Sequence, residues 1–259
     1  MSAKEDGNSL MPSTNPRTTA VDDAQTIAAL PDDALAAMAA AADEVEAMER
    51  ALARAGRNPV GQVLAGQGTF YEMNHYPDGD VYDDESHAQY YYHAHRTGTA
   101  EHGHFHTFLR AKGMEAHMSP APYEGSWPRP LGDDAIAHLV AVSMDKAGAP
   151  IGLFTTNRWV TGETFYGAQD VISMLDSFEV GHASPCLATN RWLTALLRLY
   201  RPDIARLVRA RDAQIRLWAL RHPGEDVFED RDLEIASEQA ISVPERIAAV
   251  RVEAARRGI

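Results

Sequence analysis

From Asp32 to about Gly56, apolar positions recur at three- and four-residue spacing. Leu35, Met38, Ala42, Val45, Met48 and Leu52 fall on one stripe, which predicts an amphipathic helix. Pro31, Asp32 and Asp33 suit its start, where acidic side chains meet the positive end of the helix dipole, and Gly56 suits its stop. Residues 1–28 are polar without a sustained period and are expected to form a disordered tail. The pattern then turns to strands. HAQYYYHAHR (87–96) and EHGHFHTFLR (101–110) alternate and are rich in aromatic residues, so both predict strands. AIAHLVAVSM (135–144) and APIGLFTTN (149–157) predict a second hairpin around DKAG (145–148).

From Gly167 the period is helical again. AQDVISMLDSF (168–178) predicts a short helix. Thr189 is a candidate cap for NRWLTALLRLY, which Pro202 ends, and residues 203–222 form a further helix stopped by His222-Pro-Gly. Ser242-x-x-Glu245 has the spacing of a capping box opening a last helix. Segment 57–86 has no clear period; PDGD (77–80) is turn chemistry, and Asp78, Asp80, Asp83, Asp84 and Glu85 predict an acidic, solvated loop. The connection 111–134 is Pro-rich and expected to be irregular. TNRWVT (156–161) and TNRWLT (189–194) are alike, but their flanks are not, so no repeat architecture follows. The expected fold class is α+β: an antiparallel sheet of about four or more strands packed against N- and C-terminal helices, as a tail at 1–28 and a single domain at 29–259.

The strand pattern carries the candidate chemistry. Six of the 11 histidines lie between positions 87 and 106. A turn at TGTA (97–100) would pair His95 with His102, His93 with His104, and Tyr91 with His106. The reverse face would pair Arg96 with Glu101, Ala94 with Gly103, Tyr92 with Phe105, Tyr90 with Thr107 and Ala88 with Leu109. That second face is a sensible core, so the register that buries the aromatics also gathers the imidazoles. Opposed side chains about 5 Å apart can converge on one ion. His93, His95 and His104 are the first candidates for metal ligands, followed by His102 and His106; His87 lies too far along the strand. A nitrogen-rich shell favours a transition metal, zinc or iron ahead of copper or nickel. The alternative is a metal-free hydrogen-bonded network with Gln89, Tyr91 and Asn157 as partners.

Several further residues are placed by this pattern. Tyr91 and Arg158 are candidate substrate contacts, Arg158 as an anion binder, and His138 and Asn157 are candidates for holding a cofactor at the end of the second hairpin, beside Glu163 and Tyr166. Glu101, by parity, falls on the far face as a structural partner of Arg96. His75, His117 and His222 look like ordinary loop or surface residues, and Cys186 has no base at a diagnostic spacing.

Composition narrows the function classes. Asp and Glu outnumber Lys and Arg by 37 to 24, a formal charge of −13, which argues against nucleic acid as a partner. No run of 18 apolar residues predicts a membrane span, and no apolar segment near the start predicts a secretory signal. A single cysteine fits a reducing, cytoplasmic setting.

HAHRTGTAE (93–101) resembles the cupin metal motif, HxH followed by a carboxylate, but five residues rather than three or four separate His95 from Glu101. HAHR…EHGHFHTFLR (93–110) together with TTNRWVTGETFY (155–166) resembles a bacterial family known only as a domain of unknown function, over roughly residues 35–220. That resemblance implies no activity. The functional expectation is a metal-dependent enzyme acting on a small molecule. The alternatives are a non-catalytic metal-binding protein, a haem protein with an axial histidine, or a protein whose histidines bind no metal.

Overall fold

The structure, a computed structural model, describes residues 23–95 and 100–259. The expected tail at 1–22 and the hairpin turn with Arg96 lie outside the described residues. Helix α1 (Asp23–Ala28) occupies the end of the segment read as tail. It is helical because Ile27 is fully buried against the core and the Arg257 guanidinium donates to the Ala28 and Leu30 carbonyls. Local composition does not report such long-range support. α2 (Asp32–Arg54) follows with the predicted buried stripe of Leu35, Met38, Ala42, Val45 and Leu52, and α3 (Pro59–Leu64) is capped by the Asn58 side chain.

Six strands form one antiparallel sheet in sequential order: β1 (Tyr76–Tyr82), β2 (Ala88–His93), β3 (Glu101–Arg110), β4 (Ile136–Asp145), β5 (Pro150–Thr156) and β6 (Ile235–Ala240). Of these, β1 and β6 lie outside the strands that the sequence pattern predicts. The PDGD segment does turn, but inside β1. Gly79 and Asp80 take left-handed conformations, and the pairing jumps from Tyr76↔Tyr92 to Val81↔Tyr90, so the turn residues form a bulge on an edge strand. Asp83 is buried rather than solvated; its carboxylate accepts from the Glu85, Ser86 and Gly181 amides and ties the β1–β2 turn to the helical layer. β6, IASEQA, lacks an apolar run and is a strand because β5 pairs with it from Gly152↔Ala240 to Thr156↔Ile235.

The remaining helices are α4 (Arg158–Thr161), α5 (Ala168–Met174), α6 (Leu187–Leu199), α7 (Arg201–Arg221) and α8 (Val243–Arg257). α6 begins two residues before Thr189, which is buried inside the helix and does not cap it. Pro202 stands in the first turn of α7, where its missing N–H costs nothing, so it ends one helix and opens the next. Ser242 is the N-cap of α8, but its side chain makes no capping hydrogen bond. Among the described residues, no helix is long and apolar enough to cross a membrane.

α2 packs on α6 and α8. α6 lies on one face of the sheet, where the Tyr90 hydroxyl donates to Asn190 Oδ1 at 2.6 Å and Phe105 meets Trp192 at 6.0 Å between ring centroids. Tyr90, Tyr92, Phe105, Leu109, Val140 and Val142 belong to this core. The opposite face carries the imidazoles. Replacing Phe105 by Ala removes a fully buried ring that touches Tyr90, Tyr92 and Trp192. Urea unfolding should show a loss of about 3–5 kcal/mol; a loss below about 1 kcal/mol would mean that this face is not the main core.

Candidate metal centre

β2 and β3 pair as the sequence pattern requires: Ala88↔Leu109, Tyr90↔Thr107, Tyr91↔His106, Tyr92↔Phe105 and His93↔His104. Alternation then puts Tyr91, His93, His104 and His106 on one face. His93, His104 and His106 are buried, and each offers a ring nitrogen within 4.8 Å of the others'. The His95 ring lies 5.0 Å from that of His93 and 5.1 Å from that of His104, at the edge of the cluster. Phe154 forms an apolar wall 5.1 Å from the His104 ring.

His102 does not join them. The β3–β4 register slips between Glu101 and Gly103, which turns His102 to the core face. There its Nδ1 lies 2.6 Å from the Tyr92 hydroxyl and its ring 5.7 Å from Phe70. The same slip carries Glu101 to the imidazole face, against the parity argument. Its Oε1 accepts from His104 Nδ1 at 2.7 Å, and both groups are buried. Strict alternation cannot foresee a bulge, so both assignments reversed together.

A second slip, between Thr107 and Phe108, turns His138 toward the imidazoles. His138 Nε2 is 2.9 Å from His106 Nδ1, and its Nδ1 is 3.4 Å from Thr156 Oγ1. His138 therefore orients His106 from behind instead of standing apart at the hairpin end. Its backbone N–H donates to Glu163 Oε2 at 2.7 Å. Glu163 is fully buried, and desolvation lifts its carboxyl to about 7 despite the opposing charges of Arg211 and Arg158.

The remaining sequence candidates have other work. Asn157 caps α4 by accepting from the Arg158 amide at 2.9 Å, and its Nδ2 donates to the Val227 carbonyl at 2.7 Å. Arg158 is buried; its Nε donates to Glu229 Oε1 at 2.8 Å and its Nη2 donates to the same oxygen. That ion pair answers its charge, so the expected anion-binding role has no support. His117 is exposed. His222 stacks on Trp218 and lies near Glu225 and Asp230, whose carboxylate accepts from the Trp218 indole N–H. His75 sits closer to the cluster than its loop position suggested. Its ring stacks on Tyr91 at 3.5 Å and meets His93 edge-on at 5.7 Å. No periodicity marked it, because it precedes β1.

The Glu101 contact fixes one proton: a carboxylate accepts only, so His104 Nδ1 carries a hydrogen. His93 Nε2 lies 2.7 Å from His104 Nε2, so one of these two nitrogens carries the proton shared between them. Two nitrogens bound to one tetrahedral ion at about 2.0–2.1 Å stand about 3.3–3.4 Å apart. An ion held by both nitrogens would require the two rings to separate by roughly 0.6 Å and the proton between them to leave. The proton then has a place at His93 Nδ1, which is buried and without a hydrogen-bond partner among the described residues.

Burial, followed by repulsion from His104, His95 and His75, depresses His93 to about 2; burial, with Arg211 and His104, depresses His138 to about 3. Both rings are neutral in the folded protein at pH 5.5, whereas unfolded histidine with its ordinary value of 6.5 is largely protonated. The unfolded state binds more protons, so stability is full above about pH 6.5 and falls on acidification below it. Urea midpoints of metal-free protein should drop between pH 7.5 and 5.5, by on the order of 1 kcal/mol for each of these two rings. Substituting His138 by Gln should flatten that dependence; an unchanged slope would mean that the ring is not held neutral.

The family described as Domain of unknown function (DUF6969) matches residues 39–241. No curated protein and no solved structure matches the chain. The match includes the whole six-stranded sheet and every residue of the imidazole cluster and its buried carboxylates. The chain therefore belongs to the DUF6969 family of domains of unknown function.

Proposed function

We propose that this protein is a metal-dependent enzyme acting on a small molecule, with a transition-metal ion held by His93, His104 and His106. The observation that carries the reading is the convergence of three buried imidazoles, two of them anchored from behind by Glu101 and His138. Such partners fix ring orientation and raise ligand basicity. Three protein nitrogens leave a coordination position open, the arrangement of catalytic rather than closed structural sites. The all-nitrogen shell suits zinc or iron ahead of copper or nickel. His95 borders the cluster and is a candidate fourth ligand. Tyr91 lies 5.2 Å from the His106 ring and is a candidate contact for a bound molecule. Burial and the charges of Asp80 and Glu163 raise its hydroxyl, so it remains a donor at neutral pH.

One observation favours a metal-free network: the 2.7 Å contact between His93 and His104 is a hydrogen bond as it stands. Elemental analysis of protein purified without a histidine tag separates the readings. Near-stoichiometric zinc or iron, lost in His104→Ala with the fold retained, is expected; no metal, and none taken up from added zinc or ferrous salt, would leave the network. Replacing Glu101 by Gln should weaken metal affinity about 10–100-fold, read by competition with a chelator. Affinity equal to that of the parent would deny Glu101 its orienting role.

A further inference from the structure

The imidazole face continues past the cluster. Gln89, Tyr91 and His93 on β2 share it with His104, His106, Phe108 and Arg110 on β3. Gln89 is buried and both ends of its amide are engaged. Its Nε2 donates to Asp80 Oδ2 at 2.6 Å, and its Oε1 accepts from Arg110 Nε at 2.6 Å. Asp80 Oδ1 lies 3.1 Å from His75 Nδ1. This row holds the Arg110 guanidinium by one edge only. No ion pair and no other hydrogen bond engages Arg110 among the described residues. The two terminal amino groups thus have no protein partner among the described residues and are open to a ligand.

Arg110 lines a cleft of about 690 Å³, with His75, Asp78, Lys112 and Asp133 among its walls. That is within the ordinary size range for small-molecule sites. His75 is the wall it shares with the metal centre, through the stack on Tyr91 and the edge contact with His93. We infer that this cleft binds a small monocarboxylate through the Arg110 fork, and that such carboxylates are the substrate class of the neighbouring centre; the second half rests on the proposed function. A planar pair of oxygens matches two parallel N–H donors. Asp78, Asp80, Asp133 and Asp134 line the cleft alongside Arg110 and Lys112, and they oppose a dianion about twice as strongly as a monoanion, which favours a monocarboxylate over a phosphate.

The test is calorimetric titration of benzoate, benzamide and inorganic phosphate into metal-free and zinc-treated protein. Saturable benzoate binding is expected, with benzamide and phosphate at least about tenfold weaker. Arg110→Gln should lose about tenfold or more, and Arg110→Lys, which keeps the charge but not the fork, should lose nearly as much. Thermal unfolding near the parent's temperature shows that a variant is folded; should Arg110→Gln fail, Arg110→Lys carries the test. Absent benzoate binding, equal binding of benzamide, tighter binding of phosphate, or benzoate affinity unchanged in the folded Arg110 variants would overturn the carboxylate site. Benzoate binding that survives in His104→Ala is expected and separates this inference from the metal. If the chain takes up no metal yet binds benzoate through Arg110, the site stands and only its role as substrate pocket falls.

Discussion

Antiparallel pairing of β2 with β3 is the constraint on which the site depends. Side chains alternate along each strand, so one register decides both faces at once. Tyr90, Tyr92, Phe105 and Leu109 meet the helical layer, and Tyr91, His93, His104 and His106 meet one another. A slip of one residue would press imidazoles against Trp192 and put aromatic rings among the buried carboxylates. Buried polar groups without partners cost roughly 1–3 kcal/mol each, so the packed core and the polar cluster reinforce the same pairing.

Two irregularities refine what alternation begins. The slip between Glu101 and Gly103 exchanges a histidine for a carboxylate on the cluster's side. The slip between Thr107 and Phe108 brings His138 behind His106. Each supplies a partner for a nitrogen that does not face the other candidate ligands. Bulges commonly re-aim side chains at functional sites, and here both act on the two sides of one strand pairing.

Charge is distributed with a similar economy. Arg158 is answered by Glu229, Arg211 by Asp212 and the Tyr166 carbonyl, and Arg246 by Asp203. These buried guanidiniums brace the loops and helices around the sheet. Arg110 differs in being held by a neutral amide along one edge, on the face that carries the imidazoles. Its terminal amino groups face the cleft beside the cluster instead of a carboxylate of the fold.

Much of this was legible in the chain itself. Period-two alternation with aromatics on one parity and histidines on the other determined the β2–β3 register, and the three-to-four spacing of Leu35 to Leu52 determined α2, because both patterns are local consequences of backbone geometry. Other features were decided only by distant contacts. β6 exists through its pairing with β5, and α1 through its packing and the reach of Arg257. Arg158 was claimed by Glu229, which lies 71 residues along the chain, and His75 was brought to Tyr91 by the turn inside β1. The exchange of His102 for Glu101 came from a bulge against β4. A bulge is an accommodation between two strands, and neither strand's own pattern encodes it.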